Sequence, residues 1–364
     1  MQMYLAQNNN KTLLVDLAFV DYDGWFGGKA RSVQLKELIE EAGFTFSRIN
    51  LPKPNKLQLL WFGLLFFLRF GYFKPFCYRS LVNSAYLFYR YRKILRDNPQ
   101  ISMVIKEGTG YGDLVLADIV KFYNRKIVFI PANIESLADY DNAWTHTIAK
   151  TQRFSNEIRY FKKADAVWCI SEEETWLLRI FGCNARFLPY SPPKVLTTII
   201  ENRRLNRKAD ENFGFLTFGR FDNPLHRGGL LNFLTKLQQG KVKFPYKLKI
   251  AGVGSEYFAS LVNGLSDVKV LGELTDSELE NCLLKCMGTL FWHQPSSGML
   301  TRVPDMIMSG IPVIGNEDAV KSYLWMKGVD VWGDDMILEP PDYNEFVKKN
   351  KIFYSEFIDY LADI

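Results

Sequence analysis

The chain has 364 residues, 48% hydrophobic and 23% charged, the balance of a globular protein large enough for two domains with separate cores. A formal charge of +5, spread over 45 basic and 40 acidic residues, argues against a dedicated nucleic-acid surface and leaves room for an anionic small molecule or lipid headgroup. Five irregularly placed cysteines (Cys77, Cys169, Cys183, Cys282 and Cys286) and three histidines (His146, His226 and His293) argue against a disulfide framework and against a zinc site.

In chain order, MQMYLAQNNNK lacks the basic start and apolar core of a secretory leader, so a reduced, cytoplasmic protein is expected. TLLVDLAFV (12–20) reads as a buried strand, DYDGWFGGKA (21–30) as a glycine loop and RSVQLKELIEEAGF (31–44) as a helix closed by Gly43, a β-loop-α opening. LQLLWFGLLFFLRFGYF (57–73) is interrupted at Arg69, too short for the roughly 20 apolar residues of a spanning helix. Its flanks carry Lys53, Lys56, Arg69, Lys74 and Arg79 among Trp61, Phe66, Phe67, Phe70, Tyr72 and Phe73. It is either a helix buried in its domain or a segment lying in a membrane interface.

ISMVIKEG (101–108), KIVFIPAN (126–133) and AVWCIS (166–171) are further short apolar strands between helical patterns, so the first half is α/β with a mainly parallel sheet. After the proline-bearing FLPYSPPKVL (187–196) the pattern restarts. Strands are expected at 214–221, 246–254, 268–274 and 288–294, with helices at 228–239 and 276–287. Then a polar loop at 296–302 leads into a helix bearing Val303, Ile307 and Met308, a stop at Ser309-Gly310 and a strand at 311–314. The loop before such a helix is where ligands collect in a parallel sheet. The domains expected are 1–195, 196–342, and a C-terminal segment, 343–364, of one or two helices packing back on the first.

The second half runs from a strand into Gly219-Arg220, then Arg227-Gly228, Ala251-Gly252-Val253-Gly254, Leu271-Gly272, a Pro-Ser loop, and the Ser-Gly-Ile-Pro-Val-Ile step. This order resembles the family-four retaining nucleotide-sugar transferases over roughly residues 214–330; the first half matches in its glycine loop and layout. The resemblance implies a GT-B fold: α/β, two Rossmann-like domains facing each other across a cleft, acceptor on the first and donor on the second.

In such a reaction negative charge grows on the departing diphosphate, and fixed cations and backbone N–H groups lower the barrier. Arg220, at a strand end, and Arg227, before a helix, are the first candidates. The loop Ser296, Ser297, Gly298, Met299, Leu300, Thr301 and Arg302 offers N–H groups to a phosphate or sugar hydroxyl. The family carries two glutamates eight positions apart here. The second position is Asp305, able to accept from ribose hydroxyls, and the first is Ser297, with Thr301 and Arg302 able to share its work. Gly252 and Gly254 form a strand-to-helix turn near the nucleotide base, Gly27 and Gly28 bring first-half backbone toward donor or acceptor, and Asn316 follows a strand end. Where related enzymes carry a histidine this chain has Ala132, which leaves Glu135 and Asp113 as candidate bases.

No G-x-x-x-x-G-K-[ST], G-x-S-x-G or H-E-x-x-H occurs, so ATPase, serine hydrolase and zincin chemistry lack their parts. The resemblance implies a glycosyltransferase moving sugar from a nucleotide-sugar donor to a glycan or lipid-linked acceptor in surface-polysaccharide or glycolipid synthesis. It has no cofactor, no metal where arginines neutralise the diphosphate, no nucleic-acid partner, and a peripheral membrane contact through 57–73. A sugar-nucleotide epimerase of the same shape and a non-catalytic nucleotide-sugar-binding protein are the alternatives.

Overall fold

The computed structural model describes residues 2–20, 27–71, 78–108, 110–138, 150–333 and 338–363. The chain divides into two compact units, one running to Tyr190 and resuming at Ile352, the other spanning Ser191–Lys351.

The first unit opens with β1 (Gln2–Gln7), β2 (Thr12–Leu17), α1 (Gly27–Glu41) and β3 (Thr45–Ile49), then α2 (Lys56–Phe70) and α3 (Tyr78–Asp97). It continues through β4 (Ile101–Glu107), α4 (Leu116–Phe122), β5 (Lys126–Ile130), α5 (Lys150–Phe161), β6 (Ala166–Cys169), α6 (Glu172–Ile180) and β7 (Ala185–Phe187). The seven-stranded sheet has the order β3-β1-β2-β4-β5-β6-β7. It is parallel from β2 to β7, whereas β1 runs antiparallel to both β2 and β3. The parallel strands are covered on both faces and so read as unbroken apolar runs such as Leu13-Leu14-Val15. On one face α1 packs Leu35, Leu38 and Ile39, and on the other α3 packs Leu87, Phe88 and Tyr91.

Local chemistry sets the helix starts. Asn55 accepts from the Gln58 amide while the Gln58 side chain accepts from the Asn55 amide, a capping box that begins α2. Ser171 caps α6, whose first turn carries Glu172, Glu173 and Glu174 beside the positive end of the helix dipole. α1 starts at Gly27, four residues before the expected helix, so Gly27 and Gly28 are its first turn and not part of a loop.

The second unit comprises α7 (Lys194–Asn206), β8 (Phe215–Phe218), α8 (Pro224–Gln238), β9 (Leu248–Ala251), β10 (Val268–Gly272) and α9 (Asp276–Lys285). After these come β11 (Thr289–Phe291), α10 (Arg302–Met308), β12 (Val313–Gly315), α11 (Glu317–Val320) and β13 (Val329–Val331). Its six-stranded sheet, β10-β9-β8-β11-β12-β13, is parallel throughout. In chain order that is third, second, first, fourth, fifth, sixth: the Rossmann arrangement, whose direction reverses between β8 and β11 and which binds ligands outside the carboxyl ends of the strands at that reversal. α12 (Tyr343–Ala362) is one helix; it places Phe346 in the second unit's core and Phe357 and Leu361 in the first's.

Glycines let the strand ends of the second unit converge. Gly252 has φ 120°, and a Cβ there would overlap the Gly219 carbonyl oxygen. Gly252→Ala should therefore cost about 2–3 kcal/mol through a strained φ and a backbone clash together, read as a lower urea midpoint at unchanged slope.

Candidate functional site

At the carboxyl-terminal edge of the second unit's sheet a polar cluster is built around Arg302. Thr301 precedes α10, and the guanidinium reaches back across the reversal point to donate through Nη1 to the carbonyl of Phe218, the last residue of β8. Its Nη2 lies 3.3 Å from the His226 ring nitrogens, and its face is stacked near the rings of Phe291 and Phe218 at 5.2 and 5.9 Å. A Cβ at Gly219 would collide with this guanidinium. Burial lowers the Arg302 pKa to about 10, with nearby Asp305 acting in the opposite direction, so the group stays cationic at neutral pH. Among the described residues no carboxylate forms an ion pair with it.

Two imidazoles flank the cation. The rings of His226 and His293 stand 5.1 Å apart at 65°, and His226 Nδ1 is 3.2 Å from the Arg220 carbonyl. Desolvation first, then the charge of Arg302 and the neighbouring ring, pushes His226 down to about 2. His293 is lowered chiefly by burial. Asn316, just after β12, exchanges bonds of 2.9 and 2.8 Å with the His293 amide and carbonyl, extending the β11–β12 pairing beyond the strands. Lys321 Nζ donates to the Ser296 carbonyl at 2.7 Å and the Tyr323 hydroxyl meets Met299 Sδ at 2.9 Å, so the 296–301 loop is held from below.

The other residues anticipated for donor contact take varied places. Arg220 is exposed and its guanidinium meets Asp222 at 2.6 Å, an exposed pair of small worth. Asn223 caps α8 with Pro224 at its first position, which puts His226 and Arg227 in the first helical turn instead of a loop. Arg227 lies over the Tyr257 ring at 5.3 Å. Gly228 and Gly229 are inside the helix, where side chains would strike Gln294 and the Trp292 carbonyl. Gly254, at φ 75°, precedes a short 3-10 turn over Ser255–Phe258. Ser297 and Leu300 are partly buried, and Gly298 is buried at φ 79°. Asp305 sits in the first turn of α10.

In the first unit, register does the assembling. The β2–β4 pairing sets Asp16 beside Lys106, and the two fully buried charges lie 3.6 Å apart, with the Tyr91 hydroxyl donating to Asp16 at 2.6 Å. Asp113 is drawn into this network: Lys106 approaches to 3.9 Å and Asn83 donates at 3.3 Å. Burial raises its pKa, opposed by Lys106. Glu107 accepts from Ser32 Oγ and the Ala18 amide, tying the ends of β2 and β4 to α1.

Glu135 lies in the turn after β5. Burial, then the charge of Glu157, raises it to about 7, with Arg153 opposing and Asp113 and Glu174 adding smaller repulsions. Glu157 is itself anchored by the Ser136 amide and hydroxyl, and Glu174 accepts from the Ile134 amide at 2.8 Å. The two candidate bases are thus near enough to feel each other, but Asp113 is committed to Lys106 and Asn83.

His226, His293, Asn316 and Lys321 gather around the 293–302 segment; Asn316 is expected there from its place after a strand, and the signals for the others are His293 at the end of an expected strand and the Asn223-Pro224 helix start. The expectation that the chain carries no D-x-D metal motif is wrong: Asp-Tyr-Asp triplets stand at 21–23 and 139–141, a residue pattern able to meet a divalent cation. Both lie outside the described residues, as do the rest of the loop at 21–26, Thr109, His146, Cys77, Tyr72, Phe73, Lys74 and the side chain of Arg79. Of α2, Gly63 and Phe66 are buried, while Leu57, Leu60, Trp61, Leu64, Phe67 and Leu68 are exposed by 45–77%, so the helix is not sunk in its domain. Among the described residues no helix is long and apolar enough to cross a membrane.

No family model matches the chain, and no curated protein does. Among solved structures, the chain is similar to HepE of Anabaena in complex with UDP, at 13% identity and TM-score 0.48 over 72% of this chain and 71% of that one. It is similar to sucrose-phosphate synthase of Thermosynechococcus elongatus at 15% identity and TM-score 0.48, over 78% and 72%. A third likeness is to UDP-GlcNAc 2-epimerase of Methanocaldococcus jannaschii at 11% identity and TM-score 0.40, over 80% and 82%. Likenesses this distant carry no assignment, and the functional reading rests on the residues described above.

Because the folded Glu135 carboxyl titrates above its reference value of 4.5, near 7, its favourable contribution is present at low pH and lost as pH rises through about 7. Glu135→Gln should then melt a few degrees above the parent at about pH 8 and together with it at about pH 5, in parallel calorimetric scans.

Proposed function

We propose that the chain is a glycosyltransferase that uses a nucleotide-sugar donor. The observation that supports this reading is Arg302: a largely desolvated guanidinium at the reversal point of a Rossmann-type sheet, with no ion-paired carboxylate among the described residues. An unpaired buried cation is costly, and a diphosphate arriving at that edge removes the cost. As the anomeric C–O bond breaks, charge gathers on the departing diphosphate. Arg302 is already desolvated and oriented, so it stabilises that charge without reorganising. The neutral His226 imidazole holds the guanidinium without competing for the anion, with the His293 ring beside it, and the glycines at 219 and 252 leave room for the guanidinium and for the close approach of β8 and β9. Asp305 is the candidate for the ribose hydroxyls.

Glu135 is the candidate base in the first unit. A carboxyl near 7 is matched to removing a proton from an acceptor hydroxyl at neutral pH. The acceptor is a glycan or a lipid-linked sugar. For the second, α2 supplies an apolar stripe at positions 57, 60, 61, 64, 67 and 68, with exposed Lys53 and Lys56 at its start, the composition of a helix lying on an anionic bilayer surface. Four free cysteines among the described residues suit a reducing compartment.

Titrating the purified chain with nucleoside diphosphates tests the core of this. Arg302→Met should weaken diphosphate binding roughly 10- to 100-fold and lower turnover by about 10²–10³, with its melting profile confirming a folded chain. Diphosphate release that requires an acceptor identifies a transferase. Donor interconversion without acceptor would identify an epimerase, and binding without release a non-catalytic protein. Separately, Leu60→Glu with Trp61→Glu should abolish co-sedimentation with vesicles containing anionic lipid while leaving the melting temperature unchanged.

A further inference from the structure

A cavity of about 520 Å³ opens on the second unit away from the Arg302 cluster. Gly310, in its wall, lies just past α10 and ahead of β12, and Arg207 donates through Nη2 to the carbonyls of Cys286 and Met287, just before β11. It therefore sits at the amino-terminal edge of the sheet, with the seven residues of α10, about 10 Å of helix, leading away from Arg302. Arg204, Arg207 and Lys327 line it, with Pro341, Asp342 and Tyr343.

The charges in this wall are unbalanced. Neighbouring Arg203 is answered by Glu280 at 2.5 Å, but among the described residues neither Arg204 nor Arg207 has a carboxylate partner. Their Nε atoms are buried without any hydrogen-bond acceptor. Arg204 is stacked on the Tyr343 ring at 3.9 Å, which orients its plane. The Asp342 carboxylate, which accepts from the Glu345 amide at the start of α12 through Oδ1, adds a single negative charge to the wall. Lys327 pairs with Glu339 at 2.7 Å, both half-exposed, a contact weak enough to be exchanged for a better one. Arg204, Arg207 and Lys327 thus place three cations in one wall, and phosphate accepts bidentate bonds from arginine.

We propose that this cavity binds the phosphate group of a small phosphorylated molecule, at a site separate from the one built around Arg302. The volume exceeds what phosphate alone needs and admits a sugar-sized body beside Pro341.

Calorimetric titration of the full chain with inorganic phosphate, glucose 6-phosphate and glucose, each against chloride at equal ionic strength, tests it. Saturable binding of both phosphorylated probes is expected, and glucose should give none. Tighter binding of the ester would assign a sugar phosphate, and equal binding a free phosphate. Arg204→Gln and, at the exposed rim where folding is not at stake, Lys327→Gln should each weaken phosphate binding, the former roughly tenfold or more, while Arg302→Met leaves it unchanged. Binding no stronger than chloride, parent-like binding by both cavity variants, or displacement of phosphate by saturating UDP would overturn the proposal.

Discussion

A cation held largely out of water, with no ion-paired carboxylate among the described residues, shapes the carboxyl edge of the second unit's sheet. Arg302 can stay charged there only because its N–H groups find the Phe218 carbonyl and an imidazole, and because the rings beside it do not take up protons of their own. Protonating His226 would put a second positive charge beside the first in a poorly solvated corner, which explains why its pKa falls so far. The glycines follow from the same demand. Positions 219 and 252 must leave space for the guanidinium and for the close approach of β8 and β9, and 228 and 229 let α8 settle against the backbone after β11.

The first unit solves an opposite problem. Its strand ends gather carboxylates, and most of them are quieted by local donors: Asp16 by Lys106 and Tyr91, Glu107 by Ser32 and the Ala18 amide, Glu157 by Ser136. Glu135 is left with the least help and the most repulsion, and its raised titration point is the result. One unit thus carries a fixed positive charge at its strand ends and the other a carboxyl that titrates near neutrality.

Much of this architecture was legible beforehand, for identifiable reasons. Buried parallel strands announce themselves as apolar runs, so the segments that became β2, β4, β5, β8 and β9 stood out, with a glycine directly after β4, β8 and β9, as did the helix-stop-strand step from Val303 to Ile314. β1, β3 and β7 did not: β7 has only three residues, and half-exposed β3 shows no apolar run. The site itself was less readable. Arg302 meets a carbonyl 84 residues earlier in the chain, a contact created by the adjacency of β8 and β11 that no local pattern encodes. Arg220 stands out in the sequence because it follows a strand directly, and its guanidinium pairs with Asp222, two residues on. Glu135 was visible as a candidate, but its environment depends on Glu157 and Glu174, contributed by later helices.

The helix Tyr343–Ala362 sets an order of events for the growing polypeptide. Phe357 and Leu361 are wholly buried in the first unit, and Phe357 meets the edge of the Trp168 ring at 5.1 Å. Those side chains leave the ribosome only after the entire second unit has been made. The amino-terminal unit must wait, with the indole of Trp168 uncovered and in need of protection, until its final apolar pieces arrive; it begins first and is finished last.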